Sequence, residues 1–173
     1  PEEGYDVYGI LIENSNDFQI TNSVITFTGS NLYDYYEYAM KIVGASGSNL
    51  LKGNTITANL PILDVDYGKG DPGLDTDLVL NTGIKDSEGI DIINNTFIAN
   101  VIDRNGGYPT LDCVMIENSN SLNIINNTLI ETDTVTQRGE TNYLNVLDMY
   151  YSSNVLVKGN TIHVESDGGS EDA

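Results

Sequence analysis

The segment DVDYGKGDPGLDTD at 64–77 sets carboxylates two to five residues apart among three glycines. Hard oxygen donors on a chain that glycines allow to wrap are what calcium selects. Asp64, Asp66 and Asp71 therefore form a candidate metal site, to which Asp75 and Asp77 could add ligands. The spacing departs from an EF-hand loop, which needs a glutamate at its twelfth position. A Pro72-Gly73 turn with solvated aspartates around it accounts for the same residues. Tyrosines offer a second chemistry: Tyr33, Tyr35, Tyr36, Tyr67, Tyr108 and Tyr143 lie among Asp34, Glu37, Asp103, Glu131, Asp133 and Glu140. Tyrosine rings stack on sugar faces and carboxylates accept hydrogen bonds from sugar hydroxyls, so these stretches suit neutral glycans as well as cations. An acidic loop edge with rings laid over strand ends is the plainer account.

The chain has one cysteine and one histidine, which rules out an intrachain disulfide, a multi-cysteine cage and a polyhistidine site. Cys113 stands in DCVMIEN next to Val114, with no histidine or second cysteine nearby in sequence, and reads as a small apolar strand residue. His163 alternates out of the core. Asn94-Asn95-Thr96 and Asn126-Asn127-Thr128 match the glycosylation acceptor pattern, and equally suit amides in tight turns. Nothing in these residues requires a cofactor; calcium is the ion they would admit.

Seven Lys and Arg stand against 26 Asp and Glu, a net charge of −19 at pH 7. A field of that sign repels phosphate backbones and anionic lipid, so nucleic acid is not expected as a partner. No apolar run approaches the roughly 20 residues that crossing a bilayer requires, so no membrane insertion is expected. Glycans, cations and other surface proteins remain as partners. The 173 residues make one domain. The chain opens at Pro1 with no leader-like segment, which reads as a processed product or an excised part of a longer protein.

What must position these residues is a repeat. Five phrases carry Asn-Thr or Asn-Ser before an apolar residue: ITNSVI at 20–25, KGNTI at 52–56, INNTFI at 93–98, INNTLI at 125–130 and KGNTI at 158–162. Taking Asn22, Asn54, Asn95, Asn127 and Asn160 as anchors, the spacings are 32, 41, 32 and 33 residues. Ser15, Ala45, Ser87, Ser119 and Ser152 form a second aligned set, 7, 9, 8, 8 and 8 residues before their anchors. Between these marks apolar residues alternate, as in Ile90 and Ile92, Leu122 and Ile124, Val155 and Val157, which is the period of a strand buried on one face. The first two copies slip by one residue, with Phe18 and Ile20 or Leu51 taking the inward role.

Short strands recurring about every 32 residues at constant phase predict an all-β fold, a single-stranded right-handed parallel β-helix of about five coils over 1–165. Residues 166–173 would form a flexible acidic tail. Like would stack on like, so the five anchor asparagines would build an amide ladder. A propeller would need four antiparallel strands per blade and more hairpin turns than these copies hold. The variable stretches 26–37, 58–80, 99–111 and 131–144 would project from one edge of the coil and gather there.

The phrases ENSNSLNIINNTLI (117–130) and SSNVLVKGNTIHV (152–164) resemble the right-handed β-helix repeat of the pectate-lyase-like superfamily. They are most similar to its asparagine-rich form in archaeal and bacterial adhesin-like surface proteins and in the periplasmic copper-protein accessory family. The resemblance covers the strand portions of all five copies. It implies an extracellular or cell-surface location and an adhesin-like, non-catalytic role, with glycans, cations or neighbouring proteins held at the insert edge. It also leaves two alternatives open. A polysaccharide lyase of this superfamily abstracts a proton with Arg or Lys, but the only arginines are Arg104 and Arg138, and an acidic edge repels a polyuronate. A hydrolase needs two carboxylates about 5–10 Å apart; the adjacent Asp-Asp, Gly-His and Arg-x-Lys signatures of the superfamily are absent. The other alternative is a filament subunit that stacks end to end as a homo-oligomer. The copper relationship finds no Met, His or Cys cluster here.

Overall fold

A computed structural model describes residues 7–29, 37–62, 78–103, 110–135 and 143–166. Each stretch holds three strands. The first repeat has β1 (Val7–Glu13), β2 (Gln19–Thr21) and β3 (Val24–Thr28). The second has β4 (Glu37–Val43), β5 (Asn49–Lys52) and β6 (Thr55–Ile62), and the third β7 (Leu78–Lys85), β8 (Glu88–Ile93) and β9 (Thr96–Asp103). The fourth has β10 (Thr110–Glu117), β11 (Asn120–Ile125) and β12 (Thr128–Val135), and the fifth β13 (Tyr143–Tyr150), β14 (Ser153–Lys158) and β15 (Thr161–Ser166). Among the described residues, strands pair only with their equivalents in neighbouring repeats, always in parallel. Three five-stranded sheets result, β1-β4-β7-β10-β13, β2-β5-β8-β11-β14 and β3-β6-β9-β12-β15. The fold is the expected all-β parallel solenoid.

Pairing in register turns the period-two pattern into columns. Ile20, Leu51, Ile92, Ile124 and Val157 form one inward column of the second sheet. Ile25, Ile56, Phe97, Leu129 and Ile162 form one in the third. Leu51, Ile56, Ile92, Phe97, Ile124 and Leu129 are fully buried, so the core is a continuous apolar shaft along the axis.

The first sheet breaks strict alternation. Tyr8 and Tyr38 lie on its outer face, where the Lys41 ammonium sits 5.4 and 4.5 Å from their ring centres. Ala39 and Met40 then both turn inward and are fully buried. The extra inward position is occupied in register by Gly9, Ala39, Asn81, Cys113 and Val146. It aims at the third sheet: the Asn81 amide donates to the Ile56 and Ile98 carbonyls at 2.8 and 2.7 Å, and the Cys113 thiol donates to the Ile130 carbonyl at 3.8 Å. Only small side chains fit so tight a corner; a Cβ on Gly9 would stand 2.7 Å from the Ala39 carbonyl oxygen and 3.1 Å from the Phe27 ring.

Corners are set by left-handed backbone, repeated in columns. Asn14, Gly44, Asp86, Asn118 and Tyr151 form the first such column, and Asp17, Gly47, Gly89, Ser121 and Asn154 the second. Asn22, Gly53, Asn94, Asn126 and Gly159 form the third. Asn, Asp and Gly dominate because they alone visit this region at low cost.

The third column corrects the expected ladder. Asn22 (φ 50°) is equivalent to Gly53 and Asn94, and the first repeat offers Ser23 at the ladder position. The register slip has the same origin. Ser15 to Ser23 is eight residues, as in later repeats, while the second repeat carries one extra residue, Ser48, before Asn49. Ile20 and Leu51 consequently pair directly. Asn49 falls in the inward column of Phe18 and Ile90. It is buried at no loss of hydrogen bonding, accepting from the Phe18 N–H at 3.2 Å and donating to the Ser46 and Glu88 carbonyls at 3.0 and 3.2 Å.

Candidate functional site

The residues singled out in sequence divide into those that build the coil and those that leave it. Asn54, Asn95, Asn127 and Asn160 form the amide ladder. Asn54 Oδ1 accepts the Ser23 N–H alone at 2.9 Å, and the later three oxygens each accept two bonds from the preceding repeat: Asn95 Oδ1 takes the Asn54 N–H at 2.9 Å and its amide at 3.0 Å, and Asn127 Oδ1 takes the Asn95 equivalents at 2.8 and 3.1 Å. Asn160 Oδ1 does the same for Asn127 at 2.8 and 3.1 Å. Each amide also reaches back to a strand carbonyl, of Ile20, Leu51, Ile92 and Ile124 in turn. The serine set works alike: Ser87, Ser119 and Ser152 hydroxyls accept from the N–H of Ala45, Ser87 and Ser119 at 3.1 to 3.2 Å. These groups are structural.

The expected binding edge lies between the third sheet and the first. The chain crosses there four times, from β3 to β4, β6 to β7, β9 to β10 and β12 to β13. Asp64, Asp66, Asp71, Tyr33, Tyr35, Tyr36, Tyr67 and Tyr108 lie outside the described residues. Tyr143 opens β13, in register with Thr110. The strands run further than the sequence suggested, so several residues assigned to the edge belong to sheets. Glu131 is one: it pairs with Ala99 and Val164 in an inward column of the third sheet and is fully buried. Glu37 and Tyr38 are also buried, on β4.

A feature missed in sequence lies on the outer face of the first sheet. Asp112 shares a column with Tyr38, Leu80 and Asn145. It has no accessible surface, and neither carboxylate oxygen receives a well-formed hydrogen bond. Burial pushes its carboxyl up to about 6, the neighbouring Asn145 amide lowers it and Asp148 raises it further. Tyr150 is pushed up to about 12, mainly by its hydrogen bond to Asp148. Behind Asp112, Cys113 faces the interior, and its thiol is driven up by burial first and then by the charge of Glu131, so it is no nucleophile at neutral pH. No alternation signal marks Asp112, because it occupies the one sheet where two successive residues turn inward.

Among the described residues no group of three or more His, Cys, Asp and Glu side chains is arranged to hold a metal. His163 is exposed on β15, with Glu165 at 3.7 Å. Asn94 and Asn126 are exposed at their corners, so the glycosylation pattern is accessible. No helix among the described residues is long and apolar enough to cross a membrane. No protein-family model matches the sequence, and no curated protein matches it.

Proposed function

We propose that this is a non-catalytic, extracellular β-helix of the adhesin-like kind, within the pectate-lyase-like superfamily, whose insert edge binds glycans, cations or neighbouring surface proteins. The observation that carries this reading is the shared location of the four long connections: all join the third sheet to the first. The coil would serve as a rigid support for whatever those connections bind. The outward polar side chains are consistent with a support. Asn118 bonds Asp86 at 2.6 Å, Asn123 bonds Asp91 at 2.7 Å, and Thr132, Asn100 and Asn59 form a chain at 2.7 and 2.8 Å. Binding to a neutral-glycan array, with no release of reducing ends or unsaturated products from the same glycans, is the expected result. Product release would replace this reading with a carbohydrate-active enzyme.

End-to-end stacking is a second reading with an observation of its own. In the last repeat the inward columns are open to solvent: Ile162 is 55% exposed, Val164 47% and Val157 42%, whereas their equivalents in the middle repeats are buried. Growth of long particles with concentration in light scattering would favour it.

A further inference from the structure

We propose that Asp112, with Asn145 and Asp148 of the adjacent strand, holds a calcium-class divalent cation on the outer face of the first sheet. Its ligands are other residues than the aspartates at 64–77, which lie outside the described residues, and it stands whether or not the insert edge binds glycans.

Position comes first. Asp112 and Asn145 are directly paired across β10 and β13, and both are on the face that carries Tyr38. Because two successive residues of β13 turn inward after Asn145, the next outward side chain on that strand is Asp148, in register with Met115. Two carboxylates and an amide are thereby set on one face of neighbouring strands about 4.8 Å apart, with Asp148 near enough to Asp112 to act on its carboxyl electrostatically. Calcium takes six to eight oxygen ligands and accepts amide carbonyls, carboxylates and water together.

Burial is the second, independent observation. An ionised carboxylate with no accessible surface and no well-formed hydrogen bond is costly, and such a group is rarely retained without a cation or a proton. No cationic side chain is built into these strands: β10 and β13 carry Asp112, Glu117 and Asp148 but no Lys, Arg or His. Glu117 is already matched to Lys85 at 2.9 Å. A divalent ion supplies the positive charge that these two strands lack and binds both Asp112 oxygens, neither of which receives a well-formed hydrogen bond among the described residues. In a chain of net charge −19 it also relieves repulsion between neighbouring acidic strands.

The test is a calcium titration of the chelator-stripped full chain at pH 7.5 in 150 mM KCl, read by calorimetry and by the thermal midpoint. The salt is there to remove the general screening effect of added ions. Three proteins are compared: the unaltered chain, Asp112→Asn, and a variant with Asp64, Asp66 and Asp71 all changed to Asn. Calcium at a hundredfold excess over Kd should raise the midpoint of the unaltered chain by about 5–10 °C. The triple variant should keep that rise and Asp112→Asn should lose it. No rise in the unaltered chain, or an equal rise in Asp112→Asn, overturns the proposal. Should Asp112→Asn not fold, Asp148→Asn replaces it, and its calcium affinity should fall about tenfold or more; an unchanged affinity overturns the proposal equally.

Discussion

At the scale of single residues, the ladder asparagines and the corner asparagines look identical in sequence and do different work. Asn127 accepts the Asn95 N–H and amide and donates to Ile92, all away from water. Asn127→Ala leaves a buried backbone donor unsatisfied and should cost about 2–4 kcal/mol, measured by urea denaturation. Asn22 stands at a corner with φ 50°, where glycine serves in the second and fifth repeats, so Asn22→Gly should change stability by less than about 1 kcal/mol. Equal losses at the two positions would contradict the ladder as described. Asp112 gives a prediction with a sign. Its folded carboxyl holds a proton up to about pH 6, against an ordinary value of 3.8. The folded state therefore binds more protons than the unfolded one between those values, and metal-free stability should fall as pH rises from about 4 to 6. The size is about 3 kcal/mol at most. Asp112→Asn should remove this slope and be the more stable protein at pH 7, as read from denaturation midpoints across pH.

At the scale of elements, turns rather than strands decide which substitutions the coil tolerates. Gly89 has φ 67°, and a Cβ there would collide with the Gly47 carbonyl oxygen of the previous repeat. Gly89→Ala should cost about 2–4 kcal/mol by the same measurement. Tyr151, at φ 49° and 91% exposed, is in the opposite situation: Tyr151→Asn should gain about 1 kcal/mol. The strands themselves were legible because apolar alternation is forced by a one-sided core, as at Ile90 and Ile92 or Leu122 and Ile124. The ladder was legible in four repeats out of five. It failed in the first because Asn22 and Ser23 exchange the order of amide and partner, and motif matching follows the asparagine while the backbone follows the corner. Glu131 misled for another reason: a carboxylate beside a presumed loop is expected in water, and sequence does not show that β12 continues to Val135. Asp112 gave no warning because the doubled inward turn that places it depends on packing between two sheets, through Gly9, Asn81 and Cys113.

At the scale of the whole molecule, three parallel sheets share one axis, and nearly every tertiary contact joins a repeat to its neighbours. Changing Ile162 and Val164 to Thr keeps β-branched residues in β15 while making its inward columns polar. If the coil ends associate, the double variant should lose concentration-dependent light scattering, with a thermal midpoint within about 3 °C of the unaltered chain. Retained scattering would place any association elsewhere on the surface.

The ladder has a sense of direction. Backbone N–H groups of Asn54, Asn95 and Asn127 all give toward the later repeat, and those of Ala45, Ser87 and Ser119 do likewise. Among the described residues the fifth repeat thus presents donors at Asn160 and Ser152, whereas the first offers the Ser15 hydroxyl as an acceptor. Two such molecules meeting through like extremities would set donor against donor or acceptor against acceptor. A tip-to-tip union that continued these ladders would accordingly be polar, with every molecule pointing the same way, and a union of that kind has no built-in stop.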